Sequence, residues 1–408
     1  MAVHLKMISN KVECQNIIQN SNYKTTSYFG SHFIIIVFYN KNIPRLYKIK
    51  NLKKFLKMSP SISRPLISSL YKNNIKLHSH LDIFSNLYYH KYERIDIMKS
   101  KVYFTKEITS ESLVKIYESL NHELKGKVAV KISTGEPGGH NFLNFNLIKG
   151  LVNKLNGTIV ECCTAYAGKR MHPSDHWQVI KDHGFYDISP CDIMDEDGEI
   201  KIPINGGKHL GGINYVGSHI KNYDSMLMLS HFKGHIMGGF GGALKNMSIG
   251  VASKNGKAWI HSAGKTTVLD ECCKLETKQD DFLESMAEAD KSVVDYFNPE
   301  NIVYINVANN ISIDCDCDIN PKNPEIADIG IFASLDPVAL DKCCYDTIMN
   351  LTEEGANSLR MRMLDKNAIH IVEEAERLGL GTTLYELVSI DWGYYEIRRN
   401  SKNINRTK

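Results

Sequence analysis

Strand-length apolar runs and helix-length amphipathic segments alternate along most of this chain. Lys127–Ser133 (KVAVKIS) predicts a strand, Phe142–Leu155 a helix and Gly157–Cys163 (GTIVECC) the next strand. Ahead of them, a Thr109/Ser110 cap opens an amphipathic helix with Leu113, Ile116, Tyr117 and Leu120 on one face. A turn-rich stretch runs from Tyr166 to Lys208 and includes a hairpin turn at Asp195–Gly198. Asp224–Leu229 (DSMLML) predicts a buried strand, and Ala243–Ile249 a helix start. Phe282–Phe297 predicts a long helix, and Asn301–Val307 and Asp328–Ala333 two strands. Asp336 and Pro337 read as N-cap and N1 of a helix to Asn350. Ser358–Leu378 reads as one helix, and Tyr385–Ile390 as a last strand.

This alternation predicts an α/β fold with mostly parallel sheet. We expect two packed α/β lobes, 98–225 and 226–398, with the site between them where loops leave the C-terminal strand ends. Residues 1–97 differ from the rest. They hold 15 Lys/Arg against 4 Asp/Glu, whereas 98–408 hold 34 against 42. The formal charge of +3 therefore hides a basic head and an acidic body, and the body is no nucleic-acid binder by charge. Met98 reads as the initiator, with 1–97 a disordered basic extension or mis-assigned start; a partner-binding extension is the alternative. The ten cysteines include three adjacent pairs and one C-x-C, which is no secreted disulfide framework. The longest early apolar run, Phe33–Tyr39, is too short to span a bilayer. We expect a cytoplasmic protein with no membrane partner.

The segment Leu229–Asn246 (LSHFKGHIMGGFGGALKN) concentrates chemistry. His231 and His235, four apart, could share a metal if the segment were helical, and Lys233 is a candidate catalytic cation. Gly238, Gly239, Gly241 and Gly242 precede a helix start, with Lys245 and Asn246 just after, which suits an anion. No acidic residue lies between Ser230 and Asn255 to cancel that charge. His261 and Lys265 (HSAGK) are further anion candidates. The run Asp314–Asp318 (DCDCD) offers Cys315 and Cys317 as metal ligands. Glu136, in a strand-end loop, and Asp336 are the candidate acid/base groups. Cys272-Cys273 reads as incidental.

The motifs SHFKGHIMGGFGGALKN, HSAGK, CDCD and DIGIFASLDPVALDKCCYD, in this order, resemble the domain of unknown function 362 family, uncharacterised iron–sulfur centre proteins. The resemblance runs over roughly 98–395. It implies no established reaction. Many members carry a two-cluster ferredoxin insert after the HSAGK motif. This chain has only Cys272-Cys273 there and goes straight into the helix at Phe282. A four-iron cluster is therefore not expected. The expected function is a metal-dependent or redox-linked enzyme acting on a small anionic ligand. A non-catalytic metal or iron–sulfur carrier, or electron-transfer scaffold, stays open beside it. The cofactor is left unknown, with a transition metal as candidate, and a redox partner protein is a candidate partner.

Overall fold

A computed structural model describes Lys99–Asp391 and, ahead of them, four strands: β1 (Lys6–Ile8), β2 (Lys11–Glu13), β3 (Lys24–Gly30) and β4 (Phe33–Tyr39). β1 pairs antiparallel with β2, and β3 with β4. These strands belong to a unit of their own, Met1–Asp96, and Ile97–Lys408 form a second. The expected start at Met98 lies outside the described residues.

The second unit is built on one eight-stranded sheet. Its strands are β5 (Ser100–Thr105), β6 (Val128–Lys131), β7 (Thr158–Glu161), β8 (Cys191–Ile193), β11 (Ser225–His231), β14 (Ile302–Ala308), β15 (Gly330–Ser334) and β16 (Tyr385–Ser389). Their order is β16-β5-β15-β14-β11-β6-β7-β8. Every pairing is parallel except those of β15, which runs against both β14 and β5. The sheet is thus α/β and mostly parallel, as expected. β11 lies between β6 and β14, so the boundary at 225/226 falls at the first residue of a central strand. The stretches expected as two lobes contribute strands to the same sheet.

Alternate residues of the central strands feed two cores, one on each face. Val128, Val130, Leu227, Leu229, Val303 and Ile305 face helices α1 (Ser110–Ser119) and α2 (Phe145–Lys154). α3 (Pro173–Asp182), inside the stretch expected to be turn-rich, adds Ile180 to this core. Ala129, Met226, Met228 and Tyr304 face the opposite core. That core takes residues from α4 (Ala243–Val251), α5 (Lys254–His261), α7 (Gln279–Phe297) and α8 (Pro337–Asn350). The short α6 (Leu269–Cys272) lies between α5 and α7. The helix expected over 358–378 is two, α9 (Ala356–Asp365) and α10 (His370–Arg377), broken where Asn367 takes φ +47. The turn at Asp195–Gly198 leads into a hairpin of β9 (Glu199–Pro203) and β10 (Ile213–Gly217). Among the described residues no helix is long and apolar enough to cross a membrane.

The sequence's capping signals work as read. Thr109 and Ser112 close a reciprocal box at the start of α1, with each side chain accepting the other's N–H. Asp336 accepts the N–H of Ala339 at 2.9 Å and starts α8.

Candidate functional site

β6, β7, β11 and β14 run in one direction, so their C-terminal ends and the loops that follow share one edge of the sheet. A cavity of about 520 Å³ opens there. Beyond β11 the chain forms a hairpin of β12 (Lys233–His235) and β13 (Gly239–Gly241), then enters α4. Beyond β14 comes the loop that carries the C-x-C. His231, Lys233, His235, Lys245, Asn246, His261, Cys315 and Cys317 all line the cavity.

The middle residue of C-x-C fixes the loop. Asp316 is buried and takes His231 Nδ1 at 2.7 Å and Lys233 Nζ at 2.8 Å. Burial works against its charge, yet His231 and Lys233 hold its carboxyl at about 2. The flanking cysteines are thereby held at the cavity wall. Asp314 and Asp318 accept nearby backbone N–H groups from Lys322 and Asn320, so the three carboxylates of DCDCD shape the loop.

His235, Cys315 and Cys317 offer ligand-type atoms that all lie within 4.8 Å of one another. His231 does not join them. The segment is strand rather than helix, so the spacing of four does not put the two histidines on one face. Both His231 ring nitrogens are engaged within the protein, by Asp316 Oδ1 and the Asn309 carbonyl oxygen at 2.7 Å each. Lys233 is likewise engaged, by Asp316 and the His231 carbonyl at 2.9 Å. It acts as a structural cation.

His235 Nδ1 accepts the N–H groups of Gly238 at 2.9 Å and Met237 at 3.3 Å. Its lone pair is therefore on Nδ1 and its proton on Nε2. A ring set this way favours donation to a thiolate. Metal ligation would need that protonation to be reset. Cys315 is buried, with Lys245 Nζ at 3.7 Å and the Cys317 N–H at 3.4 Å. The Cys317 thiol donates to it; burial opposes this, and Lys245 and His235 add to it. The result holds Cys315 well below the usual thiol range.

The glycine segment has a different role from the one its composition suggests. The N–H groups of Ala243 and Leu244, at the start of α4, are each 2.9 Å from a carboxylate oxygen of Asp341. Asp341 comes from α8 and is fully buried. A Cβ on Gly242 would lie 2.5 Å from its Oδ1, and one on Gly239 (φ +82) 2.5 Å from the Ala368 Cβ. These glycines admit the protein's own groups, and the helix start is capped from within. Gly238 serves His235, and Gly241 has only ordinary contacts. The expected anion loop therefore reduces to its side chains. Asn246 ties α4 to the sheet through the Lys131 carbonyl and Ser230, each at 3.0 Å.

Two expected acid/base groups lie elsewhere. Glu136 is fully buried behind the cavity, on Arg170 Nε and the Tyr166 hydroxyl, each at 2.8 Å. Asp336 follows β15, the one reversed strand, and so lies at the opposite edge of the sheet, where it also holds Ser100 and Thr382. Lys265 is exposed and donates to the Glu276 carbonyl at 3.0 Å, outside the cavity lining.

Several cavity residues carry no motif. Glu161, at the end of β7, accepts from Lys131 Nζ at 2.8 Å, Thr134 N at 2.7 Å and Arg170 Nη1 at 3.2 Å. Burial opposes its charge, but Lys131 and Arg170 hold it well below the usual carboxylate range. Lys257 is 6% exposed and donates to the Ala252 carbonyl at 2.6 Å. It has no carboxylate within 4.0 Å among the described residues, nor does Lys245. Lys257 precedes His261 by one helical turn, a K-x-x-x-H spacing that could have revealed it. Cys162, Cys272 and Cys273 also line the cavity, so the pair read as incidental borders the site.

Behind this network His176 is fully buried, and burial pushes its imidazole down to about 3. In the unfolded chain it takes a proton near its ordinary value, so acid favours unfolding. Its contribution is complete above about pH 6.5 and is lost toward pH 3. The stability advantage of the wild type over His176→Gln is expected to shrink by about 1.4 kcal/mol per pH unit across that window. Urea melts at several pH values measure it, and a constant difference would refute a neutral buried His176.

The model of the family described as a domain of unknown function (DUF362) matches residues 128–346. No curated protein matches the chain. Several solved structures are similar, two of them as follows. The lactate racemase apoprotein from Thermoanaerobacterium thermosaccharolyticum shares 15% identity at a TM-score of 0.33 over 63% of this chain. A protein from Thermotoga maritima shares 12% at a TM-score of 0.37 over 60% of it. The matches span 58% and 59% of those two chains. The family match covers more than half of this sequence and contains both the hairpin and the C-x-C of the cavity, and the chain belongs to the DUF362 family.

Proposed function

We propose that the protein is a thiol-dependent enzyme that acts on a small anionic substrate. Cys315 is the attacking thiolate, and Cys317 is the neighbouring thiol that steadies it. Lys245 and Lys257 hold the substrate's negative group. One observation carries the reading: Lys257, buried with no carboxylate within 4.0 Å among the described residues, faces the same cavity as Lys245 and Cys315. A buried ammonium without a counter-charge is costly, and an anionic occupant supplies one.

Alkylation by iodoacetamide, followed residue by residue by mass spectrometry, tests this. Cys315 is expected to react faster at pH 7 than the exposed Cys273, because its neighbours favour the thiolate. Inorganic phosphate should slow Cys315 and leave Cys273 unchanged. Lys257→Met should weaken that protection about tenfold, the effect of losing one charge-assisted contact. Modification of Cys315 that is slow and indifferent to anions would end the reading.

A second reading rests on the proximity of His235, Cys315 and Cys317. Three such groups can hold zinc with one position open. Its signature is uptake of one Zn²⁺ per chain that shields both cysteines from alkylation and is lost in Cys317→Ser.

A further inference from the structure

The cavity has two unlike ends. Its floor carries Lys245, Lys257 and Cys315. Its lining also includes Ile236 and Met237, at the turn between β12 and β13, and Leu269 and Leu275, from the segment between α5 and α7. Ile236 is 62% exposed, and Met237 and Leu275 are each 41% exposed. Large apolar side chains gathered in water around a cavity mark a surface that a ligand covers. The two sides of this mouth are tied together, since Gln279 at the start of α7 donates to the Met237 carbonyl at 2.8 Å. The buried Ile249 and Ala258 also line the cavity and add apolar wall to it.

From this polarity we infer that the substrate is amphipathic: a compact anionic head, carboxylate or phosphoryl, joined to an apolar arm of several carbons. The head sits at Lys245 and Lys257, and the arm runs out between Ile236 and Met237 on one side and Leu269 and Leu275 on the other. The inference rests on the anion reading above and adds the substrate's class to it. Charge complementarity fixes the orientation. An apolar end directed inward would leave Lys257 without a counter-charge, and a headgroup at the mouth would leave the apolar rim in water.

The probes are inorganic phosphate and methyl, butyl and hexyl phosphate, each used to protect Cys315 of the full chain from iodoacetamide. Protection should tighten about fourfold for each methylene that the rim covers. The double variant Ile236→Asn, Leu275→Asn alters exposed positions only and should keep the wild-type melting temperature. It should protect normally with inorganic phosphate and lose the dependence on chain length. Inorganic phosphate that protects as well as hexyl phosphate would overturn the amphipathic class and leave the anion site standing. Chain-length dependence that survives in the double variant would overturn the placement of the arm at this rim. Absence of protection by every phosphate would remove the anion site and the inference with it.

Discussion

Replacing Asp341 by Ala is expected to cost the protein roughly 3–5 kcal/mol, a range set by stranding several buried donors at once. Asp341 accepts the N–H groups of Ala243 and Leu244 and the amide of Asn306, at 2.9, 2.9 and 2.7 Å. It is the N-terminal cap of α4, supplied from 98 residues away in the chain. Asp341→Asn should fall in between, since an amide keeps one acceptor oxygen and turns an N–H toward a backbone N–H. The pH behaviour gives a second mark. Burial pushes the Asp341 carboxyl up to about 6, so its ionised form is the one that folding disfavours. Its contribution is most favourable below about pH 4 and erodes as pH rises through 6, the reverse of His176. The stability gap between wild type and Asp341→Ala should therefore be wider at pH 4 than at pH 7. Denaturant melts at both values read this directly. A loss under about 1 kcal/mol would show that α4 does not depend on this cap.

Glu161→Gln carries the other large effect. The carboxylate answers Lys131 and Arg170 together and also takes Thr134 N. Arg170 keeps Glu136, but Lys131 keeps only the Ile132 carbonyl and Asn246. Breaking a buried pair from one side typically costs about 3–5 kcal/mol, more than the pair contributes against an apolar replacement. The variant should melt lower accordingly. Added phosphate should return more stability to it than to the wild type, because an anion in the cavity supplies the missing counter-charge. Equal phosphate effects in the two proteins would separate the Glu161 cluster from the anion site.

The architecture was legible because its central strands are buried on both faces. SMLMLSH in β11 and IVYINVA in β14 are apolar runs whose every residue is buried. The direction of β15 was not legible. GIFAS reads the same either way, and its reversal is what sends Asp336 to the far edge. The site showed the same division. The dense motifs located His235, Lys245, His261, Cys315 and Cys317 at one cavity, because local spacing survives folding. Their roles depend on partners distant in sequence. His231 and Lys233 are occupied by Asp316, and the helix start by Asp341, and no local pattern encodes those pairings. Glu161 lies in an ordinary strand, so only the cavity reveals it, and Lys257 is marked in the sequence only by its spacing from His261.

The position of β5 has a consequence for biosynthesis. It is the first strand of the eight to leave the ribosome, yet both its partners come late: β15 begins at Gly330 and β16 ends at Ser389. Thr105 is held by Asp391, 286 residues on, so that contact waits for the segment that follows β16. The five strands β6, β7, β8, β11 and β14 can pair as they emerge, with α2, α3 and α4 already present to cover them. β5 waits as an open edge until β15 and β16 have been made. Such an interval exposes unpaired backbone and apolar side chains in a nascent protein. A ribosome stalled before residue 330 would therefore display the cavity-forming edge already assembled beside a strand with no partner.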